Sequence, residues 1–104
     1  MEWKTYCEES YTKVIPYLRT AIIKTLVKKG IPVKKAVKIV GISTTAYERH
    51  VNDKKVNMIL QDEELGDMIE GVTSRLSAGE VVEATSFCIL CSKSRKVFGL
   101  QPCT

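Results

Sequence analysis

At 104 residues and 11.7 kDa the chain has room for one hydrophobic core, and its 44% hydrophobic and 27% charged residues exclude a disordered, collagen-like or low-complexity polypeptide. The longest uninterrupted apolar run, residues 87–91, is five residues long, against the roughly 18 needed to span a bilayer. With no secretory pattern at its start, the sequence is expected to be cytoplasmic and without a membrane partner. The net charge of +4 is unevenly placed: residues 1–55 hold 12 Lys or Arg against 5 Asp or Glu, and residues 56–104 hold 4 against 7. A basic half of this kind suits a phosphate backbone, because each neutralised phosphate releases counterions; a solvated lysine-rich surface has the same composition.

Residues 1–14 show no clear period and are expected to form an N-terminal arm or short helix carrying Trp3, Tyr6, Tyr11 and one cysteine, Cys7. From there Ile15, Leu18, Ile22 and Leu26 step by three, four and four, the spacing of one helix face, so a first helix is expected over residues 15–29. Pro16 suits its first turn, where a missing N–H is harmless, and Gly30 suits a left-handed stop. Residues 32–41 place Val33, Ala36, Val37 and Val40 on one side and Lys34, Lys35 and Lys38 on the other, which predicts a short second helix.

Gly41 permits the positive φ of a tight turn, and Ser43 can cap a third helix expected over residues 44–52. Its inward set is Ala46, Tyr47, His50 and Val51, which leaves Thr44, Thr45, Glu48, Arg49 and Asn52 open. Lys54 and Lys55 are expected in a loop. Asp62 can then cap a helix with Leu65, Met68, Ile69, Val72 and Leu76 on one face, Glu63 and Glu64 at its positive end, and Gly79 as a stop. From residue 80 there is no sustained period, and residues 87–97 are expected to be a turn leading into a brief helix. The expected fold class is therefore all-α: a helix-turn-helix bundle of four to five helices over residues 15–78, with an irregular cysteine-bearing tail, residues 79–104, packed on the same domain.

Two short helices joined by Gly41, Ile42 and Ser43 can cross steeply, bracing one against a phosphate backbone while the other enters a major groove. On that geometry Ser43, Thr44, Thr45, Glu48, Arg49 and Asn52 face base edges. Arg can bond guanine, Asn adenine and Glu cytosine, and threonine methyls can touch thymine. Lys34, Lys35, Lys38, Lys54 and Lys55 flank the face near phosphates. A plain αα-hairpin with a polar outer side is the competing interpretation. The expected partners are double-stranded DNA and a second copy of the chain, since one short reading helix makes few base contacts. RNA is disfavoured for want of an exposed aromatic platform.

The second constellation is Cys7, Cys88, Cys91 and Cys103, of which Cys88 and Cys91 form a C-x2-C pair. Four thiolates and no spare suggest a single site holding an iron–sulfur cluster or zinc; free thiols or disulfides, with no cofactor, are the other outcomes. With one histidine, no Ser-His-Asp set and no glycine-rich phosphate loop, the chain is not expected to be an enzyme or to take a small-molecule substrate.

The order Cys7-Glu8, then residues 14–19 (Val-Ile-Pro-Tyr-Leu-Arg), residues 41–46 (Gly-Ile-Ser-Thr-Thr-Ala) and residues 88–91 (Cys-Ile-Leu-Cys) resembles small archaeal predicted transcriptional regulators with a lambda-repressor-like (XRE-type) helix-turn-helix and a cysteine-bearing C-terminus. The resemblance implies DNA binding by the helix at residues 43–52, dimerisation, and a shared role for the four cysteines. The chain departs from that pattern at Val37, where a small residue is usual, at Tyr47, where an aliphatic one is, and at Thr44 and Glu48, where glutamine is frequent. A redox-sensing or protein-interaction module that uses the cysteines without binding DNA alone is the alternative function.

Overall fold

Proline in the first turn of a helix costs no hydrogen bond, and Pro16 opens the most deeply buried helix of the chain in this way. In the computed structural model, which describes residue 10, residues 12–82 and residues 84–100, that helix is α1, Ile15–Lys28. It is followed by α2 (Val33–Val40), α3 (Thr44–His50), α4 (Lys54–Gln61), α5 (Glu63–Ser77) and α6 (Ala84–Val97). Among the described residues the fold is all-α, with six helices and no strand. Ten of the fourteen residues of the proposed N-terminal arm lie outside them.

Helix α1 is the centre of the bundle. It packs against each of the other five helices, so it buries Leu18, Thr20, Ala21, Ile22, Ile23, Thr25 and Leu26, a wider surface than the single stripe that its period predicts. Two threonines are tolerated there because each hydroxyl is satisfied one turn back. The Thr20 hydroxyl donates to the Pro16 carbonyl at 2.7 Å, and that of Thr25 to the Ala21 carbonyl at 3.0 Å. Around α1 the core is completed by Val56 and Ile59 from α4, Leu65 and Ile69 from α5, and Leu90 from α6, all essentially sealed from solvent. Each such side chain contributes about 1.5–3 kcal/mol by its burial.

Two expectations are corrected. Lys54 and Lys55 do not lie in a loop: they open α4, whose first turn is capped by the Asp53 carboxylate accepting from the Lys55 N–H at 2.8 Å. Val56 and Ile59, one turn apart, are then drawn into the core against α1 and α5. The tail is likewise not irregular. Residues 84–97 form a 14-residue helix, held because Leu90, Cys91, Ser94 and Arg95 fall on one side and pack inward. The Arg95 guanidinium, 1% exposed, donates to the Ser10 hydroxyl at 2.8 Å, tying α6 to the stretch before α1. Outside the core, Lys93 pairs with Glu64, and Lys29 with Glu70 at 2.7 Å.

Helix α5 follows the sequence closely. The Asp62 carboxylate accepts from the Leu65 N–H at 2.9 Å, and Leu65 and Ile69 are buried with Met68, Val72 and Leu76 packed beside them. None of the helices is long and apolar enough to cross a membrane, among the described residues.

Candidate nucleic-acid interface

The link between α2 and α3 is built by backbone chemistry. Gly41 sits at φ +89°, a conformation that costs an L side chain about 1–2 kcal/mol, and nothing crowds the position where a Cβ would stand. The turn lets the Gly41 and Ile42 N–H groups both donate to the Val37 carbonyl, at 2.8 and 3.1 Å, closing the end of α2. Ser43 then adopts an extended backbone, and its hydroxyl accepts from the Ala46 N–H at 3.1 Å, which starts α3. Ala36 and Val37 of α2 and Tyr47 of α3 are the buried residues of the pair.

This arrangement leaves the polar residues of both helices open to solvent. Ser43, Thr44, Thr45, Glu48, Arg49 and Asn52 are all exposed, as are Lys34, Lys35, Lys38, Lys54 and Lys55. Glu48 and Arg49 form no ion pair among the described residues, so carboxylate and guanidinium both stand free toward solvent. Helix α3 can therefore offer a planar five-donor fork, a carboxylate acceptor and two threonine side chains, each with a hydroxyl and a methyl group.

Asn52 requires a correction. Helix α3 ends at His50, and Asn52 lies in the turn that follows, where the Asp53 N–H donates to the His50 carbonyl at 2.9 Å. The extended backbone of Asp53, needed to cap α4, stops α3 before Asn52 can share its helical spacing. The inward set is as expected: Tyr47 is 8% exposed, and Ala46, His50 and Val51 are half-buried. Burial pushes the Tyr47 phenol above its ordinary pKa.

Tyr17, Lys24 and Phe98 support this face although no periodic signal marked them for it. The His50 ring meets the Tyr17 ring edge-on, with centroids 5.1 Å apart and planes at 68°. Tyr17 in turn meets Phe98 at 6.2 Å and 88°. Lys55 Nζ lies over Tyr17 and Phe98, and Lys24 Nζ donates to the Val51 carbonyl at 3.3 Å, fixing the exit of α3 to α1. The tyrosine could have been noted as an aromatic group one position before the apolar Leu18. Phe98 follows the last helix and has no periodic neighbour.

Of the four cysteines, Cys88 is exposed and Cys91 buried, one turn apart on α6. Cys7 and Cys103 lie outside the described residues, and with them half of the four-thiolate set. Among the described residues no three His, Cys, Asp or Glu side chains gather closely enough to hold a metal ion. No known family model, curated protein or solved structure matches the chain.

Proposed function

We propose that the chain is a sequence-specific, duplex-DNA-binding transcriptional regulator in which α2 braces on the phosphate backbone and α3 reads the major groove. The observation that carries the reading is the free, exposed Arg49 beside Glu48, Thr44 and Thr45 on a helix that leaves a glycine turn, with the exposed lysines of α2 and α4 flanking it. Arg49 is the base-reading group, bidentate to guanine, and the threonine methyls meet thymine. Lys34, Lys35, Lys38 and Lys54 bond phosphates and set register without selecting sequence. Lys55 contributes its charge from over the aromatic rings.

The lambda-repressor-like arrangement belongs to this proposal, as does a homodimer. Helix α3 spans seven residues, and two copies about 34 Å apart would double its base contacts on a near-palindrome. A four-thiolate centre, iron–sulfur or zinc, completes it, with Cys88 and Cys91 contributing from successive turns of α6 and Cys7 and Cys103 from the two ends of the chain. Such a centre would staple the termini or report redox state. Anaerobic purification with an absorption spectrum and elemental analysis tests it: a metal-free protein whose melting is unchanged by chelator contradicts it.

The DNA-reading role is tested by selection from a random duplex pool, followed by binding at increasing salt. A reader enriches a motif and keeps its preference as salt rises; a merely basic hairpin binds all duplexes alike and loses them together.

A further inference from the structure

Beside α3 lies a cleft lined by none of the residues proposed to contact DNA. It is an open hollow of about 630 Å³ between α1, α3, α4 and α5, within the roughly 300–1,000 Å³ of small-molecule sites. Lys24 and Lys28 of α1 line one side, Glu63 and Asp67 of α5 the other, and Tyr47 of α3 borders it.

Tyr47 is the unusual group. The side chain is more than nine-tenths buried, yet its hydroxyl has no hydrogen-bond partner among the described residues. No side-chain oxygen sealed from solvent lacks a partner among those residues, so this hydroxyl is reached by solvent, and Tyr47 is one of the residues that line the cleft. Phenylalanine would fill the same volume without exposing a polar atom. Its burial favours the protonated phenol, which keeps a donor there.

The charged walls are also uncommitted. Lys28, Glu63 and Asp67 make no ion pair among the described residues. Lys24 donates to one backbone carbonyl and retains two further protons. Glu70, by contrast, is engaged by Lys29, and the Asp62 carboxylate caps α5. Opposite charges therefore line one hollow without an ion pair between them among the described residues.

We propose that this cleft binds a small zwitterion, one carboxylate and one ammonium on a short body. Its carboxylate accepts from Lys28 and the Tyr47 hydroxyl, and its ammonium donates to Glu63 and Asp67. An effect of this ligand on duplex binding, through the position of Tyr47 on α3, would rest on the DNA-reading role proposed above; the binding itself does not.

The test is amide NMR shift mapping on the full chain without DNA, titrating glycine, γ-aminobutyrate and ε-aminocaproate, with hexylamine and caproate as single-charge controls. At least one zwitterion gives saturable shifts at Thr25, Tyr47, Gly66 and Asp67 at millimolar concentration. Each control binds about tenfold more weakly or less, the loss expected for one charge-assisted contact. Tyr47→Phe and the exposed-site variant Asp67→Asn each weaken the best zwitterion about tenfold while leaving the folded spectrum in place. Three outcomes overturn the proposal: no saturable shift with any zwitterion, either single-charge control binding as well as the zwitterions, or affinity unchanged in either variant.

Discussion

Lys55 Nζ stands 4.8 Å from the centre of the Tyr17 ring, so a lysine that opens α4 is held on the face of an aromatic group from α1. The Phe98 ring, just beyond α6, lies 5.8 Å from the same ammonium. Three parts of the bundle thus meet at one cation, beside the His50 ring that ends α3. Lys55→Ala is expected to lower stability by about 0.5–1 kcal/mol, the worth of a partly exposed cation–π contact. Lys54→Ala, with no such partner, stays within about 0.5 kcal/mol of the parent. Urea denaturation of the two variants separates them, and equal losses would contradict the aromatic role of Lys55.

The turn at Gly41 makes an opposite pair with the helix interior at Gly71. Gly41→Ala forces a Cβ into the left-handed region at φ +89° and is expected to cost about 1–2 kcal/mol. Gly71 lies within α5, exposed, with open space where a methyl group would stand. Gly71→Ala therefore stabilises by about 0.5–1 kcal/mol through helix propensity and a less disordered unfolded chain. Denaturation midpoints that move in the same direction for both would refute the backbone account of the turn.

Burial raises the Tyr47 pKa, so above pH about 10 the unfolded chain has released a proton that the folded chain still holds. The stability this group contributes is whole below the ordinary phenol range and is lost as pH rises through the folded-state value. Tyr47→Phe removes that part of the alkaline decline. Melting temperatures measured from neutral to alkaline pH should fall less steeply in the variant, and parallel curves would show that Tyr47 does not titrate differently on folding.

Much of the bundle was legible because its signals are local. The Asp62 and Ser43 caps and the Gly30, Gly41 and Gly79 stops depend on residues only a few positions apart, and each appears where the pattern puts it. Helix α4 was hidden because eight residues with paired lysines at the start show only Val56, Ile59 and Leu60 as a period. Its Asp53 cap was the available clue. The wide burial of α1 was illegible for a different reason: it depends on how many neighbours the helix acquires, which periodicity does not record. The exposed face of α3 could be read from its spacing, whereas the Tyr17, Phe98 and Lys55 cluster depends on the fold bringing together three segments far apart in the chain.

The most direct measurement is the base-by-base preference of the parent chain and of Arg49→Ala and Lys35→Ala on a duplex selected from a random pool. Arg49→Ala is expected to cost about 1–3 kcal/mol of specific binding and to relax preference at one base pair, while Lys35→Ala weakens every sequence alike and lowers the salt slope by about 1. A preference left intact by Arg49→Ala would contradict the claim that this face of α3 reads DNA.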